Sequence, residues 1–202
     1  GMGFFDQGQW TGRAYVGGWV RLSGTLEVSA PATGDVIATV ASGEAADVDQ
    51  AVSLGVEAQR EWAARPAEVR AEVMRRAAAN LAEHQDVLVD WLVREAGSGQ
   101  GKATFEAGLV AAELHQAAAT ALMPYGQLLQ SSHPRLSVAR RRPVGVVGVI
   151  SPFNFPAILA ARSVLPALAL GNAVVLKPDP RTSIGGGLFL AALLEEAGLP
   201  AG

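Results

Sequence analysis

Between Pro143 and Pro180 the chain reads PVGVVGVISPFNFPAILAARSVLPALALGNAVVLKPDP, and no other stretch limits the fold so tightly. Val144 to Ile150 is almost wholly apolar and rich in β-branched residues, the pattern of a parallel strand covered on both faces. It stops at Ser151-Pro152-Phe153-Asn154-Phe155-Pro156. The two prolines fix φ on either side of Asn154 and bias the residues before them away from helix, so an amide is expected on a stiff turn. Ala157 to Leu170 has a helical composition, and Pro166 within it predicts a kink or a break. Gly171-Asn172 then closes the helix. Ala173 to Leu176 is a second strand, and it delivers Lys177 at its carboxyl end, ahead of Pro178. Strand, helix and strand in this order form a βαβ unit of the α/β class. Ligands of open α/β sheets sit in the crevice beyond the carboxyl ends of the strands, so Asn154 and Lys177 are expected to face one site.

Residue chemistry alone leaves two readings at each position. An asparagine in a proline-rich turn commonly bonds its own backbone, and it can equally present a fixed donor to a developing negative charge. A lysine ending a strand is either a solvated boundary charge or a cation of the crevice.

The motifs GVVGVISPFNFP and ALALGNAVVLKPDPRT, in this order, resemble the aldehyde dehydrogenase superfamily. The likeness runs from Pro143 to about Gly202, with weaker agreement upstream. It implies a partial Rossmann-like cofactor domain with an N-terminal hairpin and helices. It also implies NAD or NADP as cofactor and a small-molecule aldehyde as substrate. By the same resemblance Asn154 is the oxyanion-hole donor, a role worth ~3–4 kcal/mol for one such group. Lys177 bonds the adenosine ribose hydroxyls, and the backbone of Ile150, Ser151, Pro152 and Phe153 lines the cofactor. LKPDPRT followed by Gly185-Gly186-Gly187 is most similar to the aryl-aldehyde branch, typified by benzaldehyde dehydrogenases. NAD-preferring members commonly carry a glutamate three residues after the lysine, where this chain has Pro180. Without that carboxylate NADP stays possible, and Arg181 is either a partner for a 2′-phosphate or a solvated loop charge.

The chain contains no cysteine, whereas the superfamily's nucleophile is a cysteine thiolate. The resemblance covers less than half of a typical member and ends ahead of the general base. The sequence is therefore expected to be an N-terminal part, inactive alone, of an enzyme that oxidises an aldehyde to the acid. The alternative is a non-catalytic nucleotide-binding or oligomerisation module. Three regions are expected: 1–125, a hairpin and helical layer; 126–143, an extended bridging segment; and 144–202, the first βαβ part of the cofactor domain.

Half of the 202 residues are hydrophobic and only 17% are charged, which predicts apolar surface meant for other pieces and hence self-association. The resemblance implies a homo-oligomer, dimer or tetramer. The net charge of −3 and the lack of any basic block beyond Arg140-Arg141-Arg142 argue against a nucleic-acid partner. That triplet belongs to an extended stretch and is read as a solvated strand or a subunit contact. Arg162, Pro166 and Gly171-Asn172 interrupt the most apolar run, leaving no span of the ~20 residues that a membrane helix needs. The N-terminus lacks a secretion signal, Gly1 ahead of Met2 is read as an expression remnant, and a cytoplasmic location is the simplest expectation. His84, His115 and His133 are too scattered for a metal site. Ser151 lacks the GxSxG elbow, and Gly145 and Gly148 do not make GxGxxG.

Upstream, the turn Pro31-Ala32-Thr33-Gly34-Asp35 predicts a hairpin. Asp47 is expected to open a helix as its capping residue, with Val48, Val52, Gly55, Ala58 and Trp62 on one face. Val69, Val73, Ala77, Leu81, Leu88 and Leu92 continue at mostly helical spacing to Gly97. Gly97 to Gly101 is expected to be a flexible joint before a third helix from Lys102 to about Leu122. These three helices are expected to cover the sheet that Val144 begins.

Overall fold

The computed structural model describes residues 3–202; Gly1, read above as an expression remnant, and Met2 lie outside them. The chain opens with a single helical turn, α1 (Gln7–Trp10), whose Gly8 N–H donates to the Asp6 carboxylate at 2.8 Å. Two antiparallel hairpins follow. The first joins β1 (Arg13–Tyr15) to β2 (Trp19–Arg21), and the second joins β3 (Gly24–Ser29) to β4 (Val36–Ser42). The turn expected at Pro31–Asp35 connects the second pair.

Helix α2 (Ala45–Ala64) begins earlier than its expected cap. Glu44 is the capping residue, and Asp47, one turn in, accepts the Glu44 N–H at 2.8 Å and the Ser23 hydroxyl at 2.9 Å. An acid at the third helical position reaches back to the cap, so Asp47 closes the box rather than opening it. Of the expected apolar face, Gly55 and Trp62 are buried while Val48 and Val52 are exposed.

Helix α3 (Ala67–Arg94) buries Val73, Ala77, Leu81, Leu88 and Leu92. His84 departs from helical dihedrals, with φ −122° and ψ 20°, and kinks the helix between Leu81 and Leu88. The expected flexible joint is instead a tight turn. Gly97 adopts φ 68°, the buried Ser98 donates its N–H to the Leu92 carbonyl at 3.2 Å, and α4 (Gln100–Ala121) starts at once.

An exposed antiparallel pair, β5 (Gly126–Leu129) and β6 (Ser137–Arg140), leads to the βαβ unit. That unit is β7 (Val146–Ile150), α5 (Pro156–Ala169) and β8 (Ala173–Lys177), with β7 and β8 parallel and Ile150 opposite Lys177. A π-helical segment, Ile184–Leu188, runs into α6 (Phe189–Glu196). Asn172 ties the start of the unit together: its Oδ1 accepts the N–H groups of Val144 at 2.8 Å and Gly145 at 3.1 Å.

Helix α5 is not broken at Pro166, which lies in its last turn. Beyond the proline, Trp62 Nε1 donates to the Leu168 carbonyl at 2.7 Å, Arg70 Nε to Ala169 at 3.0 Å, and Asn172 Nδ2 to Ala167 at 3.0 Å. Partners from α2, α3 and the turn after α5 thus satisfy the last carbonyls of the helix.

The covering of the sheet also differs from expectation. Helix α2 makes the main helical contact with β8 and β7 besides α5, while α3 and α4 pack on each other and on α5. Their contact forms the core, with Met74, Leu81, Leu88, Leu92, Leu114, Leu165 and Leu193 fully buried. Only Val149 of β7 is buried; Val144 is 85% exposed and Ile150 81%. Among the described residues this parallel ladder has two strands, so each keeps an open edge.

Candidate functional site

The parallel register places the carboxyl ends of β7 and β8 side by side. Ile150 pairs with Lys177, and the Ser151 N–H donates to the Lys177 carbonyl at 3.3 Å. Ser151 is buried, and among the described residues its hydroxyl has no hydrogen-bond partner. Pro152, Phe153, Asn154, Lys177, Pro180 and Arg181 are exposed along the rim. Arg181 lies over the Phe153 ring at 3.8 Å and forks onto Asp179, through Nε at 2.9 Å and Nη2 at 2.9 Å. That arginine holds the Asp179 carboxyl down at about 2, Lys177 contributing a smaller share.

Asn154 follows β7 on the predicted turn. Among the described residues its side chain makes no hydrogen bond to its own backbone or to any other group, so the amide is open to solvent or ligand. Its carbonyl is engaged, accepting Lys102 Nζ at 2.6 Å.

Sequence reasoning missed three side chains beneath this rim. Glu106 of α4 accepts the first free N–H groups of α5, from Ala157 at 2.7 Å and Ile158 at 3.2 Å. Glu95, next to α3, accepts Ile184 N–H at 2.9 Å and Gly185 N–H at 2.8 Å, where the π-helical segment begins. Burial pushes both carboxyls up, Glu95 to about 7, against the pull of those backbone donors. Lys102 is the third. No local sequence signal sets them apart from the other helix charges.

The carboxylates decide what the crevice can bind. A helix N-terminus ordinarily attracts phosphate, but here the leading N–H groups of both helices behind the strand ends are already bonded. The open part of the rim is an apolar and aromatic shelf, Ile150 and Phe153, flanked by the cations Lys177 and Arg181. Such a surface offers a face on which a planar base can stack and a cation that can donate to sugar hydroxyls. Two other surface depressions lie away from it, one lined by Phe4, His84 and Glu195, the other by Leu128, Arg135 and Leu136. No helix among the described residues is long and apolar enough to cross a membrane.

Comparison with known proteins gives a consistent result. The model of the aldehyde dehydrogenase family matches residues 19–202. Vanillin dehydrogenase of Amycolatopsis sp. is 52% identical over 202 residues, covering 100% of this chain and 42% of the relative. Benzaldehyde dehydrogenase [NAD(+)] of Pseudomonas putida is 47% identical over 201 residues, covering 98% and 41%. Among solved structures, an NAD-dependent benzaldehyde dehydrogenase from Corynebacterium glutamicum superposes with a TM-score of 0.92 at 39% identity, covering 100% of this chain and 44% of that one. The chain therefore spans well under half the length of the relatives it matches.

Proposed function

The chain belongs to the aldehyde dehydrogenase family, and from that premise we propose that it supplies the adenosine-binding rim and the oxyanion donor of an NAD(P)-dependent oxidation of an aromatic aldehyde to its acid. The observation that carries this reading is the pairing of Ile150 with Lys177 at adjoining strand ends, beside a turn whose asparagine amide is free. Lys177 bonds the ribose hydroxyls, Ile150 to Phe153 border the base, and the Asn154 amide donates to the oxygen that becomes negative as the aldehyde carbon turns tetrahedral. NAD(P), when bound, accepts the hydride. The thiol nucleophile comes from outside these 202 residues, which contain no cysteine. The aromatic preference follows the vanillin and benzaldehyde relatives.

Asp179 already neutralises Arg181, so a 2′-phosphate has to displace a bidentate carboxylate to reach that guanidinium. We therefore place NAD ahead of NADP, with NADP tolerated because Pro180 offers no repelling charge. The exposed β5–β6 pair serves homo-oligomer contacts, and a cytoplasmic location goes with the proposal. The same exposed pair is the one observation favouring a second reading, a non-catalytic module that mixes with full-length subunits.

The test is titration of the isotope-labelled chain with ADP-ribose and with its 2′-phosphate. Weak binding of both, tighter for the unphosphorylated ligand, with shifts at Ile150, Phe153 and Lys177 and loss in Lys177→Ala, is expected. Shifts elsewhere, or unchanged binding in Lys177→Ala, overturn the cofactor reading. A sequence continuing past Gly202 into a cysteine-bearing region favours the enzyme over the module.

A further inference from the structure

Lys102 and Glu106 stand one turn apart on α4, and both reach the turn that carries Asn154. Lys102 Nζ donates to the Asn154 carbonyl at 2.6 Å and to Ser98 Oγ at 3.2 Å, and it sits 4.1 Å from the centroid of the Phe155 ring. Glu106 Oε2 accepts the Ala157 and Ile158 N–H groups, while Oε1, buried and without a hydrogen-bond partner among the described residues, lies 3.9 Å from Lys102 Nζ. An ammonium has three protons, and here two are used by the carbonyl and the serine while the third side faces the carboxylate. The turn is thereby held at both ends by one face of α4: a carbonyl before Phe155 and two amides after Pro156.

Peptide planarity makes this hold directional. Fixing the Asn154 carbonyl fixes the plane that follows its Cα and with it the direction of the Cα–Cβ bond, which narrows the rotamers open to the side chain. A free asparagine on an exposed turn otherwise samples several rotamers, and a donor that has to be reoriented during the reaction gives up its advantage. We propose that Lys102 is a positioning residue, which through the Asn154 carbonyl presets the side-chain amide for the oxyanion. The inference rests on the reading of Asn154 as oxyanion donor, and Glu106 supports it by holding both Lys102 and the first turn of α5.

Two measurements test it. In the 202-residue chain, side-chain amide relaxation of Asn154 is compared in wild type, Lys102→Met and Lys102→Arg. Loss of Asn154 order in Lys102→Met, with Ala157 and Ile158 still protected from exchange and the melting temperature nearly unchanged, is expected; Lys102→Arg restores the order. Unchanged Asn154 order in Lys102→Met overturns the proposal. The second measurement joins the chain in frame to the remaining part of the Amycolatopsis vanillin dehydrogenase. There Lys102→Met is expected to lower kcat by about 10- to 100-fold with KM for the aldehyde unchanged, less than the ~100- to 1,000-fold loss typical of deleting a donor outright. Lys102→Arg recovers most of that loss, and Lys102→Met adds little on an Asn154→Ala background. Additive effects of the two substitutions overturn the proposal. An Asn154→Ala hybrid of full activity instead overturns the oxyanion reading while the relaxation result still reports on the clamp, so the two failures are distinct. If the hybrid does not fold, the relaxation measurement decides.

Discussion

Glu95 is 1% exposed and bonded only to backbone N–H groups, and its carboxyl is pushed by burial from 4.5 to about 7. Below about pH 4.5 it is protonated in both folded and unfolded chains, and its contribution to stability is then full. Between that pH and about 7 the folded chain keeps a proton that the unfolded chain has lost, so stability falls as pH rises and levels off above. At about 1.4 kcal/mol per unit the loss is on the order of 3 kcal/mol. Glu95→Gln is expected to flatten much of this slope in urea midpoints taken from pH 4.5 to 8, though not all, since Glu106 is raised in the same direction. Parallel profiles for the two proteins would show that Glu95 titrates alike in the folded and unfolded chains. None of this was legible in the sequence, where Glu95 and Glu106 look like ordinary helix charges; their partners lie 89 and 51 residues further along. The placement of Asn154 on a turn and of Lys177 at a strand end was legible, because prolines and strand ends are local signals.

The glycine triplet Gly185-Gly186-Gly187 has a packing reason at the level of the element. A Cβ on Gly186 would stand 2.9 Å from Pro156 Cβ, and one on Gly187 would stand 2.8 Å from Pro178 Cγ. Both are ring atoms of rigid residues, Pro156 opening α5 and Pro178 directly following β8. The π-helical segment can press against the βαβ unit only without side chains there, which also brings the Ile184 and Gly185 amides to Glu95. Gly187→Ala is expected to cost about 1–3 kcal/mol, seen as a fall of several degrees in the melting temperature. Gly108→Ala, on α4 with open space around it, is the control and is expected to raise stability by up to about 1 kcal/mol. Equal melting temperatures for wild type and Gly187→Ala would mean that the segment shifts freely. Helix α5 makes the complementary point. Pro166 predicted an interruption from local stereochemistry, and bonds from Trp62, Arg70 and Asn172 hold the turn instead.

Across the described residues the most exposed large apolar side chains are Val144 and Ile150 at the parallel ladder and Leu136 and Leu128 on the β5–β6 hairpin. Leu128 is 74% exposed, Leu136 78% and Val138 57%, on a hairpin with no substantial packing against the other elements. Strand edges with apolar side chains are templates for pairing, so self-association is expected in size-exclusion chromatography with light scattering at micromolar concentration. Leu128→Lys with Val138→Lys should shift the species toward monomer without changing the melting temperature, and a wild-type monomer at all concentrations would count against this surface as an interface. The sequence by itself determined the βαβ unit, the stiff turn with its amide, the lysine at a strand end and the lack of a thiol, because periodicity, proline stereochemistry and composition act within a few residues. The tertiary structure alone decided that α3 and α4 press on α5 rather than on the sheet. In doing so it brought Glu95, Lys102 and Glu106 under the strand ends, because burial and hydrogen bonding between distant segments depend on which helices pack together, and no local pattern records that choice.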